Sequence, residues 1–178
     1  MRSWARTLDA TMRASGPDLL AYAERLTGDP DVAATLLEDA LTRTFGRGRA
    51  PETRDDARVS VRDALRRAAV RRTAPDSPAV EETDPFVPPE ATGASSTRDT
   101  LALLAPRERA VLAMRYADGL AVPAIAASVG LHEGAVREAL TGAVTRLLAA
   151  HPRLGLRLED ALEGGTLDSA TVAVGGRP

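Results

Sequence analysis

Apolar residues recur along this chain at three- and four-residue intervals, and no stretch alternates for long enough to make a convincing strand. From Asp31 to Phe45 the apolar side is Val32, Leu36, Leu37, Ala40, Leu41 and Phe45. From Arg54 to Arg72 it is Ala57, Val61, Ala64, Leu65 and Ala68. Both stripes have helical spacing. Two shorter helices are predicted upstream. One runs from Arg2 to Met12 and carries Trp4, Ala5, Leu8 and Met12; the other runs from Asp18 to Thr27, after Gly16-Pro17 and before Gly28.

The stretch from Leu104 to Leu148 predicts three more helices, and the last two have helix-turn-helix spacing. Ala126 is small enough for two helices to cross closely. Gly130, four residues on, suits a left-handed turn, and Val136 and Leu140 fold the second helix back on the first. A helix so held presents one face outward, with dimensions that fit a DNA major groove. Between the halves, Ala74 to Ser96 holds Pro75, Pro78, Pro85, Pro88 and Pro89 and has little to bury, which reads as a flexible linker. The fold class is therefore all-α: two small helical modules, residues 1–73 and 98–151, joined by a Pro-rich acidic linker, 74–97. A C-terminal extension, 152–178, predicts one short helix from Leu154, Leu156, Leu158, Ala161 and Leu162, and disorder after Gly164-Gly165.

Composition narrows the classes. There is no Cys, hence no disulfide framework or thiolate metal site. No apolar run spans a bilayer and no signal peptide opens the chain, so the expected location is cytoplasmic, away from any membrane. The net charge is −2, but it is unevenly spread. From Arg43 to Arg72 ten Arg face four acids, a local +6, whereas from Ala74 to Thr100 six acids face Arg98, a local −5. Arg58, Arg62 and Arg66 stack at four-residue intervals, where like charges cost a helix a few tenths of a kcal/mol per pair. An anionic partner removes that cost. An enzyme has little support: His132 and His151 are the only histidines and form no ligand pair, no Gly-rich phosphate loop follows a strand, and no cofactor is expected.

Two segments carry a family resemblance. LTGDPDVAATLLEDALTRTF, Leu26 to Phe45, and LLAPRERAVLAMRYADGL, Leu103 to Leu120, followed by the helix-turn-helix, resemble regions 2 and 4 of bacterial RNA polymerase sigma factors of the small extracytoplasmic-function type. The resemblance covers roughly residues 16–72 and 98–149. It implies a non-enzymatic transcription initiation protein whose partners are core RNA polymerase and promoter DNA, with a place for an anti-sigma protein. By that resemblance Leu36, Leu37, Glu38 and Asp39 would meet polymerase. Arg58, Arg62 and Arg66 would hold the proximal promoter element, and His132, Glu133, Arg137 and Thr141 would face the distal one.

The chain departs from the family pattern in both modules. Thr35 and Glu38 stand where an acid and a Gln are usual. His132 replaces a Ser cap and is expected to be a poor acceptor. The outward positions of the recognition helix read Glu133, Arg137, Glu138, Thr141 and Gly142, with Ala139 where Arg is frequent. Charges from His132 to Ala150 cancel. These departures leave room for a sigma-like regulator or a protein-interaction module that has lost promoter recognition. The second module also resembles the DNA-binding domain of LuxR-type regulators, which leaves the first module unexplained.

Overall fold

The computed structural model describes residues 3–46, 50–72, 97–152 and 154–163, and within them every regular element is a helix. The expected linker, apart from its last residue, and the expected disordered end beyond Glu163 lie outside those residues. The elements are α1 (Ser3–Thr27), α2 (Pro30–Gly46), α3 (Arg54–Arg71), α4 (Thr97–Ala102), α5 (Pro106–Tyr116), α6 (Val122–Val129), α7 (Glu133–Ala150) and α8 (Leu158–Glu163).

Gly16-Pro17 does not separate two helices as expected; both residues lie inside α1. Proline removes one helical donor, a cost of about 3 kcal/mol in a helix interior. Here Pro17 is on the exposed side, where water can serve the Arg13 carbonyl. On the opposite side α1 buries Thr11, Ser15, Leu19, Tyr22, Ala23 and Leu26 against α2 and α3, and this packing outweighs the local break.

The α1–α2 corner is built by Gly28-Asp29-Pro30. Gly28 takes φ 74° and donates to the Glu24 carbonyl at 2.7 Å. Asp29 Oδ1 then accepts from the amides of Asp31 and Val32, each at 2.9 Å, and Pro30 opens α2. Thr53 caps α3 by accepting from the Asp56 amide at 3.1 Å.

In the second half, Glu108 reaches back to the Ala105 amide at 3.0 Å and fixes the start of α5. Gly130, at φ 72°, makes the turn between α6 and α7; the amides of Gly130 and Leu131 both donate to the Ala126 carbonyl, at 2.9 and 3.0 Å. Val136, Leu140, Ala143, Val144 and Leu147 bury one side of α7. The helix expected in the extension is α8, which packs on α7 and seats Ala161 in the core. Buried Arg115 secures it, Nε donating to the Ala161 carbonyl at 3.0 Å and Nη2 to that of Asp160 at 2.9 Å. These belong to the last turn of α8, whose carbonyls have no partner within the helix.

The two bundles also pack on each other: α1 and α3 lie against α5, and α3 lies against α6. One continuous apolar core runs from Leu19 to Ala161.

Candidate nucleic-acid interface

The start of α7 presents Glu133, Gly134, Arg137 and Glu138 to solvent while Val136 and Leu140 anchor it from behind. His132 is a working cap, contrary to expectation. Its Nδ1 accepts from the Ala135 amide at 3.0 Å, because a neutral imidazole nitrogen reaches the same orphan donor a Ser would. Thr141 gives its hydroxyl proton to the Arg137 carbonyl at 2.9 Å, so toward a ligand it offers a methyl group and a lone pair.

Two positions expected to face outward turn out otherwise. Ala139 is 7% exposed and belongs to the core. Gly142 faces α5, and a Cβ there would collide with the Glu108 carboxylate. Arg146 pairs with that same carboxylate at 3.2 Å. The absence of a side chain at Gly142 thus lets one acid cap α5 and tie it to α7. What remains on the free front of α7 is Arg137 between Glu133 and Glu138.

On α2 the structure corrects half of the expected polymerase contact. Leu36 and Leu37 are 2% and 6% exposed and hold α2 in its bundle, because they lie on the stripe shared with Ala33 and Ala40. Glu38 and Asp39 are exposed one step round the helix. α2 thus turns its apolar side inward and an acidic edge outward.

The arginine stripe on α3 divides. Arg58 is exposed, as are Arg67 and Arg71, which share clefts with Arg43 of α2. Arg62 and Arg66 are not free. Asp118, on the turn between α5 and α6, has a side chain only 4% exposed and takes Arg62 Nη2 at 2.6 Å and Arg66 Nη2 at 2.8 Å. The Tyr22 hydroxyl donates to the same carboxylate at 2.5 Å and accepts from Arg66 Nε at 2.9 Å. The Arg62 guanidinium lies over the Tyr22 ring, 4.2 Å from its centre. Burial and the hydrogen bond to Asp118 push the Tyr22 hydroxyl up to about 12. Burial alone would lower Arg66, but its bonds to Tyr22 and Asp118 outweigh that and raise it.

A second brace crosses nearby. Arg109 of α5 donates to the Thr27 carbonyl at the end of α1, and to those of Leu101 and Leu104 at 2.8 and 3.1 Å. Its burial lowers its pKa. The guanidinium comes within 3.0–3.1 Å of where a Cβ on Gly28 would sit, so that glycine answers to a close approach as well as to its φ. Sequence reasoning missed Tyr22, Asp118 and Arg109. Tyr22 and Asp118 are 96 residues apart, and no local pattern joins them.

Residues 96–147 match the family described as sigma-70, region 4. An RNA polymerase sigma-E factor of Streptomyces coelicolor is 33% identical over 141 residues, which cover 72% of this chain and 77% of that protein. The chain belongs to the sigma-70 family. Within that family it is of the extracytoplasmic-function type, and an RNA polymerase sigma-E factor of Streptomyces avermitilis shows the same relation at 32% over 143 residues, covering 72% and 76% of the two chains. The similarity reaches beyond region 4, which sets aside a LuxR-type regulator sharing only the second module. Sigma factors act in transcription initiation and are not enzymes. Among the described residues no helix is long and apolar enough to cross a membrane.

Proposed function

We propose that this sigma factor binds core RNA polymerase through the acidic edge of α2, Glu38 and Asp39, and promoter DNA through α3 and α7. In this reading Arg58, with Arg62 and Arg66 once released from Asp118, holds the proximal element. Arg137 at the front of α7 contacts a base edge or phosphate of the distal element, with the Thr141 methyl beside it. His132 sets the helix start, and Glu133 accepts from a cytosine amino group. An anti-sigma protein is a further partner in this reading. The single observation that carries it is the helix-turn-helix itself: a left-handed Gly130 and a capped α7 that is buried along one side and turns Arg137 outward on the other.

A second reading, a sigma-like regulator without promoter selectivity, is favoured by one feature. The front of α7 carries one cation between two acids, and Arg146 is occupied by Glu108. Transcription with purified core polymerase on a genomic promoter library decides between them. Discrete start sites dependent on the added chain support the first reading. Co-elution with polymerase and no start sites supports the second, and absence of both overturns each.

A further inference from the structure

Asp118 stands at the point where the two modules touch. Its carboxylate is buried and accepts from Tyr22, Arg62 and Arg66, all of the first module. The same packing sets α3 against α6, the helix that in a helix-turn-helix crosses the DNA backbone. Two arginines one turn apart, with a hydroxyl between them, form a cradle for an oxyanion. A carboxylate and a phosphodiester both offer it two acceptor oxygens and one negative charge. The cradle is built: Arg66 is 15% exposed, the Tyr22 ring supports Arg62, and Asp63 steadies Arg66 at 2.9 Å from the same helix.

We infer that Arg62, Arg66 and Tyr22 form a phosphodiester site that Asp118 occupies in the free chain, so that the modules hold each other closed and DNA displaces Asp118 to reach α3. The inference rests on the proposed reading of α3 as a DNA-binding helix and adds to it an internal competitor. Simply breaking a buried ion pair is costly because it strands a charge, but exchanging one anion for another leaves both arginines satisfied. Asp63 moves with Arg66 in either state, so the acid displaced is Asp118 alone. Exposed Arg58, Arg67 and Arg71 on the same helix supply the first attraction for the strand. Arg109 and the Thr27 carbonyl form the other brace that opening has to break.

The chain has no Cys, so Ala14→Cys on α1 and Ala149→Cys on α7, both exposed, give a unique pair of dye sites in the full-length protein. Energy transfer between them is expected to be high in the parent and to fall on adding a promoter duplex. Asp118→Asn is expected to lower the transfer without DNA and to tighten duplex binding by about 5- to 150-fold, the usual span of coupling between linked sites. Arg66→Gln is expected to lower the transfer equally but to weaken the duplex, since it removes cradle and clamp together. Asp118→Glu, which keeps the charge, is expected to retain the parent's transfer. If Asp118→Asn matches a parent that does bind DNA, in transfer or in affinity, the inference is overturned and the functional reading stands. If no variant binds any duplex, the functional reading falls first and takes the phosphodiester assignment with it.

Discussion

Single side chains on α2 and α7 divide cleanly between those buried in the fold and those left exposed. Arg137 is the one cation on the free front of α7. Arg137→Ala is expected to weaken a promoter duplex by about 1–3 kcal/mol if the contact is a bidentate base edge. If it is a phosphate contact, the salt slope drops by roughly one unit for every sequence alike. A filter-binding titration over salt separates the two, and unchanged affinity removes Arg137 from the interface. Leu36 belongs to the other class. Leu36→Asp loses a fully buried side chain and leaves a carboxylate in apolar surroundings, so a loss of more than about 3 kcal/mol is expected in urea unfolding. Glu38→Arg should keep the parent's stability and weaken retention of core polymerase. Were Leu36→Asp to unfold like the parent, the burial described for α2 would be wrong.

At the scale of helices, local patterns specified most of what formed. Apolar spacing predicted α2 and α3 within a residue or so at each end, and Gly130 marked the turn that made the helix-turn-helix legible. Two kinds of feature escaped it. Gly16-Pro17 is a strong local stop signal, yet α1 runs through it and buries Leu19, Tyr22 and Leu26 downstream. Gly142 looked like a weak spot in an outward face, yet its role depends on Glu108, 34 positions earlier and on another helix. Gly142→Ala illustrates the difference. Propensity alone would gain about 1 kcal/mol. The added Cβ collides with the Glu108 carboxylate, a cost of roughly 1–3 kcal/mol, so a net destabilisation of up to about 2 kcal/mol is expected, with fraying of the first turn of α5 as that carboxylate leaves Ala105. Thermal unfolding that matches or exceeds the parent's would show that Glu108 moves aside freely. The candidate site was legible as a list of arginines, but not as to which were free, since Asp118 and Tyr22 reach Arg62 and Arg66 only across the folded chain.

The whole molecule is held as one body by a shared core and by two polar braces, and one of these is sensitive to alkali. The Tyr22 hydroxyl titrates near 12 in the folded chain and near 10 when exposed, so the folded state prefers its neutral form. That preference stabilises the protein fully below pH 10 and is lost as pH rises through about 12, a decline of up to about 3 kcal/mol. Tyr116 is raised as well, by burial, and these are the only two tyrosines. Phenolate absorbance should therefore lag a free-tyrosine titration until unfolding sets in. Tyr22→Phe should remove most of the alkaline decline; an unchanged pH dependence would assign it elsewhere.

Arg115 also bears on how the molecule is made. Its guanidinium donates to carbonyls of α8, so a ribosome has to travel from Ala150 to Glu163, roughly 1–3 s at ordinary elongation rates, before those acceptors exist. Through that interval the nascent helix-turn-helix lacks the cover that Ala161 gives its core. The first bundle, complete by Arg72, can mature much earlier during synthesis, and the half that holds the helix-turn-helix assembles last.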